Sequence, residues 1–152
     1  MGAGTAITAR PGSPGALPAP GLGMMGGSIG GGFGAASPGG TGFVAGTPSA
    51  PRVVRIIAGP GDRFSPSDVR VAAGETITFL VTVMGPLQHE FKVGPAAAVD
   101  ADAPTAPEIA GLGMMQTGSL TYTFSSVGPF AFACHEPGHF EAGMRGTITI
   151  VD

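Results

Sequence analysis

The chain has one cysteine, one tyrosine, no tryptophan and three histidines, and only 11% of its 152 residues are charged. A single cysteine rules out an intrachain disulfide, so any fold must hold by packing and hydrogen bonds. Lys and Arg number 7 against 10 Asp and Glu, a net charge of −3, which leaves no basic footprint for nucleic acid. No apolar run approaches the roughly 18 residues needed to span a membrane. The N-terminus lacks the charged start and apolar stretch of a secretory signal. That lack does not argue for the cytoplasm, because Met1 can equally follow a removed leader.

Glycine and proline are plentiful, and unevenly spread. Residues 1–51 hold 16 Gly and 7 Pro, with Arg10 as the sole charged side chain. Such a stretch buries too little apolar surface to offset its ordering entropy, so 1–51 is expected to be a flexible tail. Residues 52–152 are then one domain, of ordinary size for a β-sandwich.

Within that domain, short extended runs alternate with Gly/Pro turns. Strands are expected over 52–58, 67–71, 75–83, 90–93, 119–124, 130–134 and 145–151. The run 75–83 places Ile77, Phe79, Val81 and Val83 on one face, and Thr76, Thr78, Leu80 and Thr82 on the other. Residues 94–118 lack strand periodicity and read as a long loop with one helical turn. Many short strands with tight turns predict an all-β fold, a Greek-key sandwich carrying the Gly/Pro-rich N-terminal tail.

The chemistry concentrates in the 11 residues Cys134-His-Glu-Pro-Gly-His139-Phe-Glu-Ala-Gly-Met144. Phe130, Phe132 and Cys134 share one strand face, so the thiol enters from the core. Pro137 and Gly138 turn the chain and bring His139 and Met144 back over the same pole. Thiolate, imidazole and a weak thioether suit copper held between Cu(I) and Cu(II), and His89 can supply the second imidazole. A lone buried cysteine is more often an inert small hydrophobe. The company of His139 and Met144 at this spacing argues against that reading. Zinc could use Cys and two His, but Met is not among its usual ligands. A Cys–His hydrolase would need a third orienting group, and none accompanies the pair.

Residues 52–152 resemble the cupredoxins, the plastocyanin/azurin superfamily. The resemblance rests on His89-Glu90-Phe91 and on Phe132, Cys134, Pro137, Gly138, His139, Ala142, Gly143 and Met144, continued by Arg145-Gly146-Thr147-Ile148. It is nearest to bacterial periplasmic members with a His-Glu-Phe first motif. The resemblance implies one type 1 copper ion held by His89, Cys134, His139 and Met144, with the Gln88 carbonyl as a weak axial contact. It also implies a single-electron carrier rather than an enzyme, in a periplasmic or other extracytoplasmic setting. Redox partners would dock transiently near His139, on a patch of Gly85, Pro86, Leu87, Pro137, Gly138 and Ala142, with the carrier a monomer. Relatives that serve in copper tolerance keep a second function open, in which copper is cargo.

Several residues depart from the pattern or extend it. Many cupredoxins follow the first ligand histidine with an Asn that ties the two ligand loops; Glu90 stands there instead. The stretch between the motifs holds only Met114 and Met115, where copper-tolerance relatives often carry many His and Met. The pentapeptide Gly-Leu-Gly-Met-Met occurs at 21–25 and 111–115. Its thioethers are candidate Cu(I) ligands in Met24, Met25, Met114 and Met115, against the plainer reading of chance or packing. His135 is expected to face solvent, away from the metal. A trinuclear copper cluster is excluded, since two of the three histidines are already used. Tyr122 is expected in the core, and Glu136 and Glu141 are expected beside the ligand loop in solvent.

Overall fold

The computed structural model of the chain describes residues 5–6, 37–125 and 127–151. Two five-stranded sheets form a sandwich. The first has the order β1 (Thr5–Ala6), β8 (Thr117–Thr123), β5 (Thr76–Val83), β2 (Arg52–Gly59), β3 (Arg63–Ser65). The second has the order β4 (Asp68–Ala72), β10 (Arg145–Val151), β9 (Phe130–Ala133), β6 (His89–Pro95), β7 (Glu108–Leu112). One short helix, α1 (Ala96–Asp100), follows β6. β2 pairs with β5 in parallel, and so does β4 with β10, so neither of these pairs is joined by a hairpin.

The core follows from the period-two pattern. Ile77, Phe79, Val81 and Val83 are completely buried. They pack with Phe64, Phe91, Phe124, Phe130 and Phe132, whose rings meet at centroid distances of 5.2 to 6.1 Å. On the opposite face of β5, threonine hydroxyls pair across to β8 in three rungs: Thr76 with Thr123, Thr78 with Thr121, and Thr82 with Thr117, at 2.7 to 2.8 Å. Cross-strand hydrogen bonds of this kind are why threonine suits that row. Tyr122 is buried, as its place in the alternation requires.

Within the domain, two strands lie where none was expected. β3 has only three residues, with Phe64 its one buried side chain. β7 falls inside the expected loop 94–118. Its buried residues Ile109 and Leu112 are three apart rather than two, because the pairing with β6 shifts register between His89 and Phe91. A period-two search cannot find such a strand.

The segment before β2 also makes contacts. Gly46 donates its N–H to Glu75 Oε1 at 2.9 Å, and its carbonyl accepts from Thr76 N at 2.9 Å. A Cβ at Gly46 would stand 2.0 Å from the Thr76 carbonyl oxygen, so only glycine fits there. Backbone pairing of Thr5 with Thr121 and of Ala6 with Leu120 adds β1 at the edge of β8. The rest of the expected tail before Ser37, including Met24 and Met25, lies outside the described residues.

Candidate metal centre

Three neighbouring strands of the second sheet converge on one pole. β6 begins at His89, β9 ends at Ala133 just before Cys134, and β10 begins at Arg145 just after Met144. Since β6 and β10 both run antiparallel to β9, the start of each lies beside the end of β9. The loop 134–144 is closed by its own hydrogen bonds. Cys134 N donates to the Met144 carbonyl at 3.0 Å, Met144 N to the His139 carbonyl at 3.0 Å, and His139 N to the Glu136 carbonyl at 2.9 Å. Gly138 (φ 85°) and Gly143 (φ 101°) take the left-handed turns that this closure requires.

The loop brings together the three strongest donors expected from sequence. Cys134 Sγ lies 3.5 Å from His139 Nδ1 and 4.0 Å from His89 Nδ1, and the three donor atoms fall within 4.8 Å of one another. Both imidazoles thus turn Nδ1 toward the sulfur. Met144 is completely buried in the same core cluster as Cys134. His89 is buried and His139 half-buried, so one ring lies inside the pole and the other near its surface.

Burial keeps two of the donors uncharged in the copper-free protein. Burial pushes the Cys134 thiol up to about 11, against the pull of the Glu90 and Glu136 amides, so the free thiol is protonated at neutral pH. Burial, helped by the neighbouring His139, pushes the His89 imidazole down, which keeps it neutral. A neutral imidazole and a thiol that must ionise to bind leave room for the metal's own charge.

Residues behind the ligands fix them. Glu90, which stands in place of the Asn that many cupredoxins carry, ties the two ligand segments together. Its Oε1 accepts from His135 N at 2.8 Å, while its own N–H points to Cys134 Sγ at 3.4 Å. Burial raises the Glu90 carboxyl above its ordinary pKa. His135 does point away from the donors, but it is not a solvent residue. Its Nε2 donates to the Val99 carbonyl at 2.6 Å, and its ring stacks on Phe140 at 4.5 Å and 19°. Beneath it, Val99, Ala106, Ala131 and Ala133 form a second small core, which explains why β9 alternates phenylalanine with alanine. The small methyls let α1 pack onto the outer face of the sheet.

Most of the other acidic residues near the pole have assignable partners. Glu90, Asp102 and Glu108 bring their carboxylates together, but Lys92 occupies the gap. Its Nζ lies 2.9 Å from Asp102 and 3.4 Å from Glu108, and donates to the Ala103 carbonyl. Glu136 accepts from the Gln88 side chain at 3.1 Å, and Glu141 is exposed. Asp62, which belongs to no motif, lies 3.6 Å from His139 Nε2. Met114 and Met115 are exposed on the turn between β7 and β8.

A family model described as "Copper binding proteins, plastocyanin/azurin family" matches residues 57–151. The chain belongs to the plastocyanin/azurin family. Copper, as Cu(I)/Cu(II), is accordingly its cofactor, and the buried thiol, imidazole and thioether donors fit that ion. Among curated relatives, the chain is 34% identical over 114 residues to the "Copper-resistant cuproprotein CopI" of Rubrivivax gelatinosus, covering 66% of this chain and 67% of that protein. It is 27% identical over 140 residues to the protein of the same name from Pseudomonas aeruginosa, covering 66% and 77%. Among solved structures it resembles auracyanin B, with TM-score 0.58 and 25% identity over 66% of this chain and 88% of that one. Auracyanin A of Chloroflexus aurantiacus shares the plastocyanin/azurin fold at TM-score 0.56 and 21% identity, over 67% and 100%.

Proposed function

We propose that this chain is a type 1 (blue) copper protein that carries single electrons between redox partners. One observation carries the reading: Cys134 Sγ lies 4.0 Å from His89 Nδ1 and 3.5 Å from His139 Nδ1 at the pole of a packed sandwich. In this reading His89, Cys134, His139 and Met144 hold one copper ion, with the Gln88 carbonyl as a further weak contact. The bound ion supplies a one-electron Cu(I)/Cu(II) couple.

The protein's part is to hold the donors still. Glu90 joins the two ligand segments, the β9–β10 ladder clamps Cys134 to Met144, and the His135–Phe140 stack backs the loop from outside. A donor set that cannot rearrange has little to reorganise when the charge changes. Pro86, Leu87, Pro137, Gly138 and Ala142 are exposed around the half-buried His139, and Gly85 is half-exposed. This small apolar rim suits brief encounters with a redox partner. No helix among the described residues is long and apolar enough to cross a membrane. A periplasmic or other extracytoplasmic monomer completes the reading, in line with the kinship to the copper-resistant cuproproteins.

That kinship also favours a second reading, in which the protein contributes to copper resistance by binding copper as cargo. The visible spectrum and copper stoichiometry separate the possibilities. An intense thiolate-to-copper band with one ion per chain supports the carrier. More than one ion per chain supports the resistance role. A colourless Cu(II) protein at full occupancy would exclude a type 1 site.

A further inference from the structure

The turn joining β2 to β3 is a third wall of the metal pole. Gly85, in the loop leading to His89, packs against Pro60, and a Cβ added at Gly85 would lie 3.7 Å from the Pro60 nitrogen. Two residues on, Asp62 takes the left-handed conformation (φ 52°), and its Oδ1 stands 3.6 Å from His139 Nε2. The opposite ring nitrogen, Nδ1, faces Cys134 Sγ at 3.5 Å. At 3.6 Å the contact is electrostatic, longer than a hydrogen bond. It is also sheltered, with the His139 and Asp62 side chains 12% and 29% exposed. A carboxylate can only accept, so it favours the tautomer with the proton on Nε2 and the lone pair on Nδ1, aimed inward.

We infer that Asp62 is the positioning residue of the surface-side ligand: its carboxylate fixes the His139 tautomer and ring orientation and biases the centre toward Cu(II). The inference rests on the type 1 copper reading. Metal-binding histidines characteristically give their second N–H to a carboxylate or carbonyl, which orients the ring and raises its basicity. Among the described residues, Asp62 is the nearest polar partner of His139 Nε2. The negative charge also sits where the ring edge would meet a redox partner, so it favours a partner that brings positive charge.

The test compares the copper-loaded full chain with D62N and D62G. Asn and Gly both tolerate a positive φ, so the turn survives while the charge is lost. Both variants should keep the visible band of the parent. Both should shift the preference for Cu(II) over Cu(I) at least ten-fold toward Cu(I), a rise of 59 mV or more in a one-electron potential. The difference should shrink at high salt, because the contact is partly exposed. Potentials equal to the parent's in both variants would overturn the inference. A second measurement stands apart from copper: ring 15N–1H spectra of His139 in the copper-free protein. The Nε2-protonated tautomer in the parent, with mixed tautomers in D62N, supports the role of Asp62; an Nδ1-protonated parent refutes it. A colourless parent would count against the type 1 reading, while the ring spectra would still decide whether Asp62 positions His139.

Discussion

Each donor at the metal pole has a separable task. In the proposed type 1 site the thiolate would make the strong covalent bond to copper, whereas the thioether would mainly tune the balance between Cu(II) and Cu(I). Cys134→Ser should therefore abolish the intense visible band, while Met144→Leu should keep it and raise the potential. Absorption spectra and voltammetry of the two variants check this. The Cys134 thiol also sets a pH dependence. Its pKa is pushed up to about 11 by burial, so below that pH the copper-free protein carries a proton there that binding must displace. Copper affinity should rise about ten-fold per pH unit between neutrality and pH 10, with one proton released per ion. Competition with a chelator at two pH values measures the slope. His89 adds no further slope in that range, since burial lowers its pKa and it is already neutral.

At the scale of the strand, the most consequential polar contact lies away from the metal. Glu75, just before β5, is 1% exposed and meets the Arg52 guanidinium, with Oε2 3.0 Å from one terminal nitrogen and accepting from Ala72 N at 2.9 Å. The same guanidinium donates to the Arg70 carbonyl at the end of the other sheet. Burial alone would raise the Glu75 carboxyl, but Arg52 and the amides of Gly46 and Ala72 outweigh it and hold the pKa below the ordinary 4.5. A depressed carboxyl contributes stability that is present above its unfolded pKa and lost as pH falls through its folded value. The fold should weaken with acid below about pH 4.5 for this reason. Removing one partner of a buried pair costs about 3–5 kcal/mol. Glu75→Ala should destabilise by about that much and flatten the acid dependence, which denaturant melts at pH 7 and pH 4 would reveal. Gly146 illustrates a different limit, since an added Cβ would lie 2.1 Å from the Phe132 ring.

For the whole molecule, the contacts of Gly46 say where the folded unit can be shortened. A chain beginning at Ser37 should bind copper and keep the Gly46 contacts, losing only the two-residue pairing of β1 with β8. One beginning at Pro51 should keep its colour but melt lower. It loses the Gly46 amide that Glu75 uses, a buried bond whose removal costs about 1–3 kcal/mol. Melting curves of the three chains decide this. Cu(I) titration of the same set asks whether Met24 and Met25 add a second ion. Equal stoichiometry across all three would argue against a cuprous site before Ser37.

The meeting of Cys134 with His139 and His89 was legible in the residues themselves. Cys134, His139 and Met144 are close in sequence, alternation sends the thiol into the core, and a thiolate with two imidazoles and a thioether points to one class of metal. The Ile77–Val83 face was equally legible, because burial on one side of a strand repeats every second residue. Strand β7 was hidden, since a register shift spaces Ile109 and Leu112 by three, and β3 was too short to leave a pattern. The partners of side chains remote in sequence were decided only by the tertiary structure. His135 found Val99 and Phe140, Glu90 found His135, Glu75 found Arg52 and Gly46, and Asp62 found His139. The physical reason is that local sequence governs which face a side chain takes, whereas its neighbour across a sandwich depends on how loops far apart in the chain pack onto one pole.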